Sequence, residues 1–184
     1  MTRLTIVCTL GAVLLAAPAG AAASQPDLVA AAQPARDSFA RGGAPSLEAL
    51  IDQFVQALSA KDLAKLDTLR VTKSEYVDLI VPGTVPTDRP PRAVSQQPKE
   101  FFWSSLDTKS HYFTENLLEQ FGGRPYRSHE LTFTRPTKQY AWYAAHGQVR
   151  LELHGEDGVT YHLVTGWVAE VDGRYKFIGY NSES

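Results

Sequence analysis

The chain of 184 residues is nearly free of cysteine and contains only Cys8. A single thiol excludes an intramolecular disulfide framework and a cysteine-based zinc site within one chain. The chain also lacks an excess of one charge, because 18 Lys and Arg residues stand against 20 Asp and Glu residues. Phosphate contacts need a concentrated basic surface, so the sequence argues against a nucleic-acid partner. The hydrophobic fraction of 43% is that of an ordinary globular domain.

The only long apolar run lies at the N-terminus. Arg3 supplies a positive start, residues 4–17 are mostly apolar, and residues 21–23 are alanines suited to cleavage. We interpret residues 1–23 as a signal peptide, which predicts an exported protein, either periplasmic or secreted. The run is shorter than the roughly 20 residues of a membrane span, so no span is expected after cleavage. An uncleaved anchor is the alternative, whereas cleavage would remove Cys8 and leave a cysteine-free chain.

A folding unit is expected over residues 46–184. The preceding residues 24–45 are rich in Ala, Gln, Pro, Gly and Arg, which predicts a flexible tether. Ser46 then begins a helical pattern as an N-cap, Asp62 is suited to cap a second helix, and the Thr-Lys-Ser-Glu of residues 72–75 matches a capping box. The sequence therefore predicts several helices in the first half of this unit.

Strand patterns follow the helices. A further helix is expected after the proline-rich loop of residues 82–98, and apolar and polar residues alternate beyond Gly122. A long strand is expected from residue 161 to 171, with Asp172-Gly173 as a two-residue hairpin turn. Helices before an antiparallel sheet predict an α+β fold, with N-terminal helices packed on a curved antiparallel sheet of about four strands.

The closing hairpin is predicted to have two apolar faces. Its register places Trp167 opposite Ile178 on one face and leaves Val168 and Phe177 on the other. Both faces then need cover, and helices can supply it on one side. A partner subunit, the proline-rich loop and the tether are the alternatives for the second side. A homodimer through the outer sheet face is therefore one candidate arrangement.

Two stretches resemble a known superfamily. Residues 54–63, Phe-Val-Gln-Ala-Leu-Ser-Ala-Lys-Asp-Leu, and residues 172–177, Asp-Gly-Arg-Tyr-Lys-Phe, are similar to the nuclear transport factor 2-like, or ketosteroid isomerase-like, superfamily. The resemblance implies a cone-shaped α+β fold that hosts isomerases, dehydratases, cyclases and non-catalytic binding modules. The isomerase branch has an oxyanion-stabilising Tyr where this chain has Phe54, which has no hydroxyl to donate. Ketosteroid isomerase chemistry is therefore disfavoured.

An enzyme remains the alternative hypothesis. It would be a lyase or isomerase of the ketosteroid isomerase-like or polyketide cyclase-like type, using an acid/base residue in the cone. The candidates are His111 and Tyr112 on the long helix, together with Asp78, which lies where the superfamily often has its acid residue. Imidazole and carboxyl groups are suited to proton transfer if they lie within hydrogen-bonding reach of one ligand.

Aromatic residues give the candidates for a ligand pocket: Phe54, Trp142, Trp167 and Tyr180. Large rings with polar tips suit a small hydrophobic or amphipathic molecule. The leading hypothesis is an exported, non-catalytic binding module for such a ligand or for a protein partner. No cofactor is expected. No metal site is expected either, because His162 opposite Glu152 suggests a cross-strand polar pair and the other histidines do not join it.

Overall fold

The computed structural model describes residues 25–181, so the predicted signal peptide lies outside the described residues. Within them the helices are α1 (Gln25–Gly42), α2 (Leu47–Ala60), α3 (Leu63–Thr68), α4 (Lys73–Glu75), a π-helix (Tyr76–Ile80), α5 (Val81–Gly83) and α6 (Gln96–Phe121). The strands are β1 (Tyr126–Phe133), β2 (Lys138–Gln139), β3 (Ala144–His146), β4 (Val149–Gly155), β5 (Thr160–Val164), β6 (Val168–Val171) and β7 (Arg174–Phe177). Helices thus precede strands, and the predicted α+β class is confirmed. None of the helices in this part of the chain is long and apolar enough to cross a membrane.

The strands form two antiparallel sheets rather than the one sheet of about four strands that we predicted. The first has the order β1-β4-β5 and the second the order β2-β3-β6-β7. The strand predicted over residues 161–171 is interrupted, so that β5 belongs to one sheet and β6 to the other. At Gly166 an added Cβ would lie 1.5 Å from the carbonyl oxygen of Gly179. Two backbones meet there too closely for any side chain, which explains the glycine.

The local signals for helix starts are confirmed. The Ser46 and Asp62 side chains each accept a hydrogen bond from the backbone N–H three residues later. Thr72 and Glu75 form the reciprocal capping box, in which each side chain bonds the backbone N–H of the other. Each cap satisfies N–H groups that have no partner within the helix, and so fixes where α2, α3 and α4 begin.

Helix α1 corrects the prediction of a flexible tether over residues 24–45. Its residues Ala32, Ala35 and Phe39 are buried. Directly after α1, Ala44 exchanges two backbone hydrogen bonds of 3.0 Å with Tyr175 of β7. The described part of this segment is therefore an ordered element of the fold, because one of its faces is apolar enough to pack.

Two hydrophobic cores lie on opposite faces of the four-stranded sheet. The first contains the buried face of α2 with Val168 and Phe177, and the second contains Phe39 of α1 with Ala169 and residues of the π-helix. Val168 pairs with Phe177, and the next pair of the ladder, Ala169 with Lys176, faces the opposite way. Helix α1 therefore supplies the second cover for the terminal hairpin. Both apolar faces of the hairpin are thus covered within the chain, so the reason for predicting a homodimer through the outer face no longer applies.

A buried ion pair beside the second core joins three elements of the fold. The Nζ atom of Lys176 on β7 lies 2.9 Å from both carboxylate oxygens of Glu75 on α4. The Ser38 hydroxyl of α1 donates to the same carboxylate at 2.8 Å. The ammonium group also lies 5.5 Å from the centre of the Phe39 ring. These contacts connect α1, α4 and the last strand through one charged centre.

Candidate functional site

A groove lies between the first half of α6 and the segment formed by residues 67–78, and we call it the α6 groove. It consists of two neighbouring cavities that share Thr72 and Lys73 in their linings. One cavity has a volume of about 420 Å³ and is also lined by Arg70, Trp103, Asp107 and His111, among others. The other has a volume of about 530 Å³ and is also lined by Val77, Asp78, Gln96 and Glu100, among others. The lining mixes charged, apolar and aromatic side chains.

The capping box places the shared residues at the boundary between the two cavities. Thr72 is the N-cap of α4, so Lys73 begins the helix and its side chain reaches α6. The Lys73 Nζ atom lies 2.6 Å from Glu100 Oε2 across the groove, and both side chains are about half exposed. The hydrogen bond from Lys73 lowers the pKa of the Glu100 carboxyl group. This ion pair crosses the groove at its surface.

Arg70 forms the charged base of the smaller cavity. Its side chain is only 5% exposed, and its Nη2 atom donates to Asp67 at 2.7 Å and to Asp107 at 2.9 Å. Asp67 belongs to α3 and Asp107 to α6, so the guanidinium group joins the two walls. The backbone is held as well, because the Arg70 residue forms a parallel bridge with Phe177. A guanidinium group held by two carboxylates keeps a fixed geometry.

The π-helix packs against Trp103 and lines the larger cavity. The Trp103 ring of α6 lies 5.9 Å from the ring of Tyr76, measured between centroids. Burial raises the pKa of the Tyr76 hydroxyl. Leu79 and Ile80 are buried in the second core, whereas Val77 and Asp78 line the larger cavity. The π-helix therefore packs one side into the core and presents its other side to the groove.

The three predicted acid/base candidates do not meet at one point. His111 lines the smaller cavity, with Nε2 at 3.6 Å from Asp107 Oδ2, which is beyond hydrogen-bonding distance. Asp78 lines the larger cavity and lies 3.5 Å from Lys99 Nζ. The Tyr112 residue is 70% exposed at the surface. Geometry brings His111 and Asp78 to neighbouring cavities, but it does not make them a pair.

The four aromatic pocket candidates are also divided. Phe54 and Tyr180 are fully buried in the first core, with ring centroids 5.6 Å apart, and so they fill space rather than enclose it. Trp142 and Trp167 pack partly buried against the second core instead. The single aromatic pocket that we predicted is thus corrected to two separate packing clusters.

Arg70, Lys73 and Trp103 were not among the site residues predicted from the sequence. Lys73 lies inside the capping box that the sequence revealed, but nothing local indicated that its side chain would reach α6. The contact between Arg70 and Asp107 joins residues 37 positions apart, so no short motif could signal it. The aromatic run of residues 101–103 was a visible sign that the first half of α6 has an apolar surface.

Across residues 25–181, no group of three or more His, Cys, Asp or Glu side chains could hold a metal ion. His162 does pair with Glu152 in the ladder, with Nδ1 at 3.6 Å from Oε2. Comparisons of the chain with protein families, with curated proteins and with solved structures give no match.

Proposed function

We propose that this chain is an exported binding module that holds a small amphipathic molecule in the α6 groove without catalysing a reaction there. The observation that carries the proposal is the size of the two adjoining cavities, about 420 and 530 Å³. Small-molecule sites have volumes of roughly 300–1,000 Å³ and combine apolar walls with a few placed polar groups. The export part of the proposal rests on the signal features of residues 1–23.

The lining suits a ligand with an apolar body and a polar head. Trp103 gives the smaller cavity aromatic surface, and Asp78, whose side chain is 44% exposed, gives the larger cavity a carboxylate. The Lys73–Glu100 pair lies between them and is exposed. Exposed ion pairs contribute little to stability, so a ligand can separate this pair at small cost. Ligand entry would then join the two cavities into one site.

Binding without catalysis is favoured over the lyase or isomerase alternative. General acid/base chemistry needs groups within hydrogen-bonding reach of one reacting atom. His111 and Asp78 line different cavities, and Phe54 provides no oxyanion donor. The proposal also includes the relationship to the nuclear transport factor 2-like cone fold. It is supported by the phrase at residues 54–63 and by the order of helices before antiparallel strands.

A protein partner is the second candidate, and one observation favours it. Phe101, Phe102 and Tyr112 of α6 are exposed, at 69%, 45% and 70%. The Phe101 and Phe102 rings are neighbours, with centroids 6.2 Å apart, and adjoining exposed apolar side chains are typical of a surface that binds another protein. The two candidates use different sides of α6, so they can be separated by substitution.

The test is a fluorescence titration of the folded protein with 8-anilinonaphthalene-1-sulfonate, an amphipathic aromatic anion. Trp103→Ala should weaken binding about tenfold or more, because loss of one well-placed aromatic contact costs about 1.4 kcal/mol or more. Phe101→Ala is the matched control, since it removes an exposed ring from the same helix and should leave binding unchanged. Thermal melts of both variants show whether the fold is intact. Equal binding by the wild type and Trp103→Ala would refute the groove, and a selective loss in Phe101→Ala would favour the partner surface.

A further inference from the structure

A line of hydrogen-bonding side chains crosses the four-stranded sheet, and its residues are not those that line the α6 groove. Thr137 directly precedes β2, and the β2–β3 register pairs Lys138 with Ala145, so one further step of that register sets Thr137 opposite His146. The β3–β6 register pairs His146 with Val168 and Glu170 with Ala144, so Glu170 is a diagonal neighbour of His146 on the same face. The β6–β7 register pairs Glu170 with Tyr175. Side chains of alternating residues share one face, so these four groups lie along the same side of the sheet. The strand registers alone therefore bring a hydroxyl, an imidazole and a carboxylate together.

The hydrogen bonds define the role of each group. His146 Nδ1 lies 3.0 Å from Thr137 Oγ1, and His146 Nε2 lies 2.9 Å from Glu170 Oε2. An ionised carboxylate only accepts, so Nε2 of a neutral imidazole must carry the proton that it donates to Glu170. Nδ1 then has a free lone pair and accepts from the Thr137 hydroxyl. This is the order of nucleophile, base and orienting carboxylate that activates a hydroxyl group.

The imidazole ring is fixed from several sides. It stacks on Phe133, with centroids 5.6 Å apart and an interplanar angle of 23°, and it lies 5.9 Å from the Tyr175 ring. The His146 side chain is 15% exposed. Tyr175 also hydrogen-bonds Glu170, and the pKa of its hydroxyl is raised, first by burial and then by that carboxylate. Thr137 is exposed, so the base is held while the nucleophile remains accessible.

We propose that Thr137 is an activated nucleophile that accepts the acyl group of an activated ester or thioester. Oγ1 attacks the carbonyl carbon, and its proton moves to His146 Nδ1. The bond between the carbonyl carbon and the leaving oxygen or sulfur breaks, and the leaving group takes the proton from Nδ1. The products are an ester on Thr137 and a free alcohol or thiol. Water attacks the ester in the same way, which releases the acid and restores the hydroxyl.

A second threonine–histidine pair in the chain serves as an internal control for the reactivity of Thr137. Thr160 Oγ1 lies 3.3 Å from His154 Nδ1, which is again a threonine beside a histidine. The other nitrogen, Nε2, is 3.8 Å from Glu152 Oε1 and makes no hydrogen bond to it. The two sites therefore differ in the carboxylate that holds the imidazole. A carboxylate partner fixes the tautomer and orientation of the base, so only Thr137 should be activated.

The experiment treats the full chain with p-nitrophenyl acetate and follows acetylation of each threonine by peptide mass spectrometry, with p-nitrophenolate release recorded in parallel. A general base contributes about 10²–10⁴-fold, and loss of the carboxylate that orients a histidine base costs up to about 10⁴-fold, so Thr137 should react at least about 100-fold faster than Thr160. His146→Gln should abolish that advantage and Glu170→Gln should reduce it, whereas Thr137→Ser should keep the reaction.

Thr137→Val changes an exposed residue and identifies the site even if the histidine variant unfolds. Equal acetylation of Thr137 and Thr160 in the wild type, or a Thr137 rate that folded His146→Gln leaves unchanged, would overturn the proposal. The groove titration with the anionic dye involves none of these residues, so the outcome for the groove and the outcome for Thr137 are independent.

Discussion

Replacing Lys176 with methionine should destabilise the protein by about 3–5 kcal/mol, because it leaves the Glu75 carboxylate buried without its cation. The Glu75 side chain is fully buried and the Lys176 side chain is 4% exposed. Water cannot replace the lost partner at such a site. A methionine of similar length preserves much of the packing, so the loss reports on charge rather than on volume.

The magnitude follows from the contacts of the carboxylate. Lys176 Nζ donates to both oxygens at 2.9 Å, and each hydrogen bond to a charged group is worth about 1.5–3 kcal/mol. The Ser38 hydroxyl and the Thr72 N–H also donate, both at 2.8 Å, and these two bonds remain in the variant. The two remaining hydrogen bonds limit the loss of stability to about 3–5 kcal/mol. The double variant Glu75→Gln/Lys176→Met carries no buried charge, so it should lose less than the sum of the two single changes.

The assay is urea unfolding followed by circular dichroism, with free energies obtained by linear extrapolation. Lys73→Met is the control, since its ion pair with Glu100 is exposed and should contribute little. A loss below about 1 kcal/mol for Lys176→Met would refute the reasoning, because it would mean that the carboxylate is solvated or neutral. Additive losses in the double variant would refute it as well.

Two further predictions concern the first core and a surface turn. Phe54→Ala should cost about 3–5 kcal/mol in urea unfolding, since the ring is fully buried against Tyr180, and a loss under about 1 kcal/mol would contradict that packing. The Val159 N–H donates a hydrogen bond to the Asp157 carboxylate at 2.9 Å and lowers the pKa of that group. The carboxylate therefore stabilises the fold at pH values above its unfolded pKa of about 4, and this stabilisation is lost as the pH falls through the lower pKa of the folded state. Asp157→Asn should flatten that part of the stability–pH curve, and an unchanged curve would show that the bond does not form in solution.

Features set by neighbouring residues could be predicted from the sequence. The caps at Ser46 and Asp62 depend on hydrogen bonds that span three residues. The turn at Asp172-Gly173 depends on two residues with positive φ, which are 50° and 71° in the structure. Asp and Gly tolerate such angles better than most residues, so the dipeptide itself indicates the turn. In these cases the interactions and backbone angles that form the feature belong to the residues of the motif itself.

Helix α1 and the candidate sites could not be predicted in the same way. The stability of α1 depends on Phe39 packing beneath Lys176, a contact between residues 137 positions apart. Composition alone therefore indicated a tether. The alignment of Thr137 with His146 and Glu170 depends on two strand registers, and a break within the strand predicted over residues 161–171 was not visible in the pattern. Long-range register and packing decide both features.

The way in which α6 is attached explains why ligand binding is proposed at this helix rather than at the sheets. Both faces of the terminal hairpin are covered by the chain itself, by α2 with the first core and by α1 with the second. The buried residues of α6 are Ser110, Thr114 and Leu117, all in its second half. The contacts of the first half include the ion pairs of Lys73 with Glu100 and Arg70 with Asp107 and the packing of Trp103 against Tyr76. Regions with few buried apolar contacts open at the lowest free energy. The groove therefore lies beside the half of α6 that has the fewest buried apolar contacts, where we expect a ligand to enter.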